Sequence, residues 1–262
     1  MPHPRDCCCS QSVGVNRLGH AIIWQTGSAY SGSPGQLQST GFSAGRFYDG
    51  QGAGHDLLGR LEFGPTLSNG TRAATGQTLD PRYLNDLDQV AGYLGTASSS
   101  ALVAGVLTGH DAGGWFPLGA NIVLAGLTSG YTDEDGHTAR PTAYGWENMG
   151  SAAAPRMRPW VAHAVVTSYA DFDGTPRTSA TWVKQPLKVA DLGACGRALQ
   201  PVFQDDGNPP IWRMNDRLEM VFGDSRMVRN GRVYDLNKLV PEGWRVLRAL
   251  DIRNDGTILS QP

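Results

Sequence analysis

The chain has 262 residues, of which 40% are hydrophobic and 18% charged, enough apolar material for a substantial core. With 22 basic against 24 acidic residues the formal net charge is −2, which removes the electrostatic case for a nucleic-acid binder or a membrane-surface protein. No apolar run approaches the length of a membrane-spanning helix, and 34 glycines with 16 prolines point to a turn-dense, all-β chain.

In chain order, residues 1–12 read as a flexible arm. They carry Cys7, Cys8 and Cys9, which cannot supply the spaced ligand pairs of a structural zinc site; one of them could pair with Cys195, and the sequence does not choose which. The opening Met1-Pro2-His3-Pro4-Arg5-Asp6 has no secretory apolar stretch, so the compartment stays open.

Residues 13–262 read as a single domain of repeated units. Two segments align with Tyr131 and Tyr169 in register: each has a Tyr-x-Asp-x-Asp-Gly turn, then a short stretch to Trp146 or Trp182, with Asn121–Gly126 and His163–Ser168 upstream. Related turn-then-strand stretches are Asn85–Gly92, Asn215–Gly223, Asn254–Leu259 and, more weakly, Gly35–Gly41. An Asx or Gly turn feeding a short strand is what a hairpin needs where φ is positive. Second strands are expected at 21–24, 45–48, 101–104, 142–146, 179–182 and 226–229, and third strands at 55–59, 116–119, 190–193 and 234–237. Six units give a period of roughly 44 residues, the range of β-propeller blades. The expectation is an all-β, six-bladed propeller, with five to seven blades compatible. Its ring would be sealed by N- and C-terminal strands, because 254–259 lacks chain to complete a blade and 19–24 lacks a strand before it.

Several of these stretches resemble the HAF-repeat family: Gly19–Trp24, Asn85–Gly92, the Asp-Leu-Gly and Asp-Leu-Asn strands, and above all Val233–Trp244 running into Ala249–Ile258. The similarity is strongest over 183–262, weaker over 80–182 and faint before 80. Asp88 and Leu218 replace the glycine of the family's Asn-Asp-x-Gly turn. The resemblance implies a repeat protein of an extracellular or cell-surface kind and carries no established activity.

Two motifs imitate catalytic ones. Gly41-Phe-Ser-Ala-Gly45 matches a nucleophile elbow, but the glycine-rich stretch that follows cannot be the helix this motif requires. Gly109-His-Asp-Ala-Gly-Gly114 resembles the aspartate elbow of epoxide hydrolases and dehalogenases; Pro117 interrupts a helix, and no histidine follows His163. The acidic turns Asp133/Asp135 and Asp171/Asp173, with Asp205/Asp206, offer oxygen ligands for Ca²⁺ or another divalent cation, without EF-hand spacing.

If the turn strands are innermost, Asn85, Asn121, His163, Asn215 and Asn254 fall at equivalent blade positions and ring one mouth of a central channel. They could hold a cation there, with His163 as the base. Of the tryptophans, Trp24, Trp146 and Trp182 are expected to pack between blades, and Trp160 and Trp212, beside prolines, to form a ligand-binding surface. Function follows in three readings. The first is a non-catalytic recognition or scaffold protein that binds a protein or glycan through its loop faces. The second is a metal-dependent hydrolase of an ester, lactone or phosphotriester. The third is a structural subunit of a larger surface assembly.

Overall fold

The computed structural model describes residues 7–31, 38–52, 54–59, 61–66, 72–96, 99–108, 114–132, 134, 136, 138–151, 153–170, 176–187, 212–230 and 232–262. The described residues are all-β, in antiparallel sheets, none of which closes into a barrel. Among the described residues no helix is long and apolar enough to cross a membrane. The chain divides into two compact units, Met1–Ala120 and Asn121–Pro262.

The first sheet of the N-terminal unit contains β1 (Cys7–Val15), β2 (Ala21–Ser31), β3 (Gln38–Tyr48), β4 (Gly54–Asp56), β5 (Leu61–Thr66) and β6 (Arg72–Thr75). The strand path is β1-β2-β3-β5-β6, with β4 also pairing β3. A second sheet is a meander of β7 (Gln77–Leu84), β8 (Gln89–Thr96), β9 (Ser99–Thr108) and β10 (Gly114–Gly119). Ile22, Phe47, Leu57, Leu79, Val90 and Leu107 form the buried core. β7 packs across β1, β2 and β3, and Gly45 lets it approach, since a Cβ there would stand 2.1 Å from the Leu79 carbonyl oxygen. The elbow-like Gly41–Gly45 motif is therefore plain strand, and its last glycine is a packing requirement.

The C-terminal unit continues with β11 (Ile122–Leu127), β12 (Tyr131–Thr132), β13 (Thr138–Ala139), β14 (Thr142–Asn148), β15 (Met157–Ala170) and β16 (Pro176–Pro186). Their sheet has the order β11-β14-β15-β16, with β12 and β13 as a separate hairpin between β11 and β14. The Tyr131 segment thus belongs to the separate β12-β13 hairpin, whereas Tyr169 lies near the end of β15 in the four-stranded sheet. Then come the meander β17 (Trp212–Met214), β18 (Met220–Phe222), β19 (Arg226–Arg229) and β20 (Arg232–Asp235), a 3-10 turn at Leu236–Lys238, and the hairpin β21 (Arg248–Ile252) and β22 (Ile258–Gln261). Met214, Met220, Phe222 and Val228 face Tyr144, Trp146 and Val161 in one core. Val221, Met227 and Leu236 face Val246, Ala249 and Ile252 in another.

One five-residue turn recurs after the first strand of each group. Its first residue donates its N–H to the carbonyl of the fifth, for Asn16 to His20, Asn85 to Gln89, Asn215 to Glu219 and Arg253 to Thr257. The fourth residue is left-handed in every case: Gly19, Asp88, Leu218 and Gly256 have φ of 80°, 57°, 61° and 84°. The departures Asp88 and Leu218 therefore stand at positions that favour glycine for a steric reason. Thr128 starts a fifth, expanded copy: its N–H donates to the Thr142 carbonyl, and its hydroxyl accepts the Thr142 N–H as the asparagine oxygens do elsewhere. Residues 130–141, including β12 and β13, are inserted inside that turn. Three residues before the turn, at Val13, Arg82, Ala125 and Leu250, the pairing register slips by one residue, a bulge that bends four of the five first strands at the same point; β17 pairs without a slip at Trp212.

Two expectations about the N-terminus change. Residues 7–12 are not a loose arm, because β1 pairs with β2 from Cys7 opposite Ser28 onwards. Residues 20–24 accordingly have a strand and a turn before them, so β1 completes its own sheet, while β21 and β22 form a two-stranded sheet.

Candidate functional site

The five residues expected to form the asparagine ring do not share one equivalent position. Asn85 and Asn215 do occupy the same turn position, but both are buried and their side chains are committed locally. The Asn85 Oδ1 accepts from the N–H groups of Leu87 and Gln89, and its Nδ2 donates to Gln89 Oε1. The Asn215 Oδ1 accepts from Arg217 and Glu219, and its Nδ2 donates to Glu219 Oε2 and the Arg253 carbonyl. Asn254 holds the second turn position, one place off, and is bonded to Asp216 through both side-chain atoms. Asn121 lies at the opposite end of β11 from its turn, and His163 lies on the third strand of its sheet. Asp133, Asp135, Asp171, Asp173, Asp205, Asp206 and the 109–113 stretch lie outside the described residues. Among the described residues no three of His, Cys, Asp and Glu converge as a metal site would require.

The tryptophan expectations exchange places. Trp160 and Trp212 have no exposed surface and are core residues, with Trp212 packed on Tyr144 at 5.0 Å and on Trp146 at 5.9 Å between ring centres. The neighbouring prolines misled because Pro159 lies inside β15, where its carbonyl still accepts from Leu187 N–H. Trp146 and Trp182 are buried as expected, whereas Trp24 is partly exposed and lines a cleft of about 450 Å³. Trp24 and Trp146 both stand four residues after the end of their turns, at His20 and Thr142. Trp212 stands three residues before its own turn and covers Trp146; the corresponding residue in β7 is Arg82. Arg82 pairs with Asp80 and lies over the Tyr93 ring at 5.8 Å, so Trp24 is left uncovered. Gln11, Val13 and Tyr83 complete that cleft.

A second cleft, also about 450 Å³, lies in the C-terminal unit around His163. Its polar lining is Thr138, Arg140, His163 and Gln185. Its apolar lining is Ala139, Val165, Val183 and Leu218. Thr142, His163 and Val183 are cross-strand partners on β14, β15 and β16. The Thr142 hydroxyl donates to the Arg140 carbonyl at 2.9 Å, so towards His163 its oxygen is an acceptor, and His163 Nδ1 at 2.9 Å carries the hydrogen. The neutral ring then keeps its lone pair on Nε2. Burial, and after it the Arg140 charge, pushes the His163 pKa below its ordinary value of 6.5, so the imidazole is neutral at pH 7. Sequence reasoning singled out His163 but missed its surroundings; the signal available was the excess length between 127 and 142 relative to the other turns.

Comparison with protein families, curated proteins and solved structures finds no match to this chain.

Proposed function

We propose that this protein is a non-catalytic recognition module whose partner is a glycan, bound at the Trp24 cleft. The observation that carries this reading is the replacement of a covering tryptophan by Arg82, which leaves an indole beside a carboxylate, a guanidinium and an amide. A sugar ring has an apolar C–H face that an indole can cover and edge hydroxyls that need paired donors and acceptors. Trp24 fits the face, and Asp80, Arg82 and Gln11 fit the edge. Likeness of the turn-linked meanders to HAF-repeat, propeller-type blades belongs to the same proposal. It is supported by the recurrence of turn, bulge and glycine-like conformation at one register, and a recognition role suits such a scaffold.

The test is a glycan-array screen of the full chain, followed by titration of each hit against Trp24→Ala and Arg82→Trp. Retention lost in both variants, with unchanged melting temperature, supports the reading. Retention that survives both, or capture of protein ligands alone, overturns it.

A second reading, a hydrolase using His163 as base, is favoured by one observation: a histidine with a shifted pKa lines a cleft. Turnover of an ester, lactone or phosphotriester that is lost in His163→Ala would establish it, and metal analysis would show whether a cation takes part.

A further inference from the structure

We propose that the His163 cleft is a binding site for a small hydroxycarboxylate with a short aliphatic body, independent of the Trp24 cleft. Three observations converge on it.

The first is where the cleft arises. Among the described residues the five-residue turn is expanded in one copy, between Thr128 and Thr142, and that copy supplies the wall formed by Thr138, Ala139 and Arg140. The anchoring bonds of the ordinary turn are retained, so the insertion adds a wall without altering the strands beneath it. In repeat proteins, a unit-specific insertion of this kind is where a binding face is commonly built.

The second is Leu218. It occupies a left-handed position, φ 61°, that Gly19 and Gly256 fill in sister turns. A leucine there carries backbone strain, because its Cβ crowds the following carbonyl oxygen. Its side chain lines the cleft and packs against the core below. A strained residue whose side chain shapes a cavity is a sign of a site rather than of a turn.

The third is the polar chemistry. Arg140 has no carboxylate partner among the described residues, and it contributes a fixed positive charge. His163 contributes an acceptor at Nε2, because its Nδ1–H is held by Thr142. A cation beside a neutral acceptor calls for an anion beside a hydroxyl. The carboxylate pairs with Arg140, the hydroxyl donates to His163, and Val165, Val183 and Leu218 cover the alkyl part. An amine in place of the hydroxyl would bring positive charge against Arg140.

The probe is 2-hydroxy-4-methylpentanoate, titrated into the full chain at neutral pH by calorimetry and by the ring-proton resonances of His163. Saturable binding is expected. It should weaken roughly tenfold for 4-methylpentanoate, which lacks the hydroxyl, and at least as much for the methyl ester of the hydroxy acid. Arg140→Gln should reproduce the loss seen with the ester, and His163→Phe the loss seen without the hydroxyl. Leu218→Gly, which restores the residue of the sister turns, should weaken binding several-fold while the fold persists. Trp24→Ala should leave this binding unchanged, so failure here and failure of the glycan reading are separate results. Absence of saturation up to about 20 mM, a Kd that implies less than about 2.5 kcal/mol of binding, would overturn the proposal. So would affinity unchanged in a folded Arg140→Gln protein. Hydrolysis of the ester dependent on His163 would overturn it in favour of catalysis.

Discussion

The side-chain amide of Asn215 donates to the carbonyl of Arg253, 3.0 Å away, and so ties one turn to the equivalent turn of the next group of strands. Asn16 does the same to Asn85, at the same distance. The second residues of the turns add a parallel link: the N–H groups of Arg17, Ser129 and Asp216 donate to the side-chain oxygens of Asp86, Asp216 and Asn254 respectively. The Asn215 turn therefore accepts from the Thr128 turn on one side and donates to the Arg253 turn on the other.

Asn215→Ala should be costly, because it strips the acceptor from the Arg217 and Glu219 N–H groups and removes one of the two N–H donors to the Arg253 carbonyl, the other being Gly256. We expect a loss of about 2–4 kcal/mol by denaturant unfolding, since buried polar groups are left unsatisfied. A loss below about 0.5 kcal/mol would mean that water replaces these bonds and that the turn-to-turn link is decorative.

Leu218 offers a signature in the order of two variants. Leu218→Ala keeps the left-handed strain and loses side-chain burial, whereas Leu218→Gly loses the same burial but relieves the strain. The glycine variant should be the more stable by about 1 kcal/mol, the reverse of the usual ranking of these residues. Melting temperatures of the two proteins decide the matter.

His163 predicts an acid-side loss of stability. Above its ordinary value of 6.5 the imidazole is neutral in folded and unfolded chains alike, and its titration contributes no pH dependence. Below that value the unfolded chain binds the proton first, so stability falls with pH until the folded-state histidine also protonates. His163→Gln should remove this component, and Arg140→Gln should shift the His163 titration upward in a proton NMR titration. A folded-state value at or above that of a free histidine would contradict the burial of the ring.

Glu147 behaves in the opposite chemical sense. Burial acts to raise its pKa, but the hydrogen bonds and charges of Lys184 and Arg158 outweigh that effect and hold it below the ordinary 4.5. Its stabilisation is present above the unfolded value and is lost as pH falls through the lower, folded value. Glu147→Gln should flatten the stability profile in that range while changing little below it, as measured by urea unfolding at stepped pH.

The all-β class and most strand positions were legible because their signals are local. An asparagine turn followed by a short apolar stretch states its own geometry, as at Asn85–Gly92, whereas the Asn16–His20 turn before Ala21–Trp24 was missed. The equivalences were less legible. Arg253, not Asn254, is the turn's first residue, since what the position requires is a backbone bond that any residue can make. Thr128 escaped notice because its partner Thr142 lies beyond an insertion. Trp160 and Trp212 were placed on the surface because prolines sit nearby, whereas strand alternation turns both indoles inward. The clefts depend on which residue faces which across two sheets, as with Arg82 standing where Trp212 stands elsewhere, and no single stretch of sequence records that.

The donor-and-acceptor arrangement of the turns bears on how such a chain could arise and be rebuilt. Because the groups of the C-terminal unit adjoin through the same few atoms, an additional copy spliced between two of them would find matching contacts on both sides. Growth or shrinkage by unequal recombination would then be tolerated at once, and chemical individuality could be confined to inserts such as the one between Thr128 and Thr142. A chain lengthened by duplicating residues 215–252 is the direct laboratory version of that history.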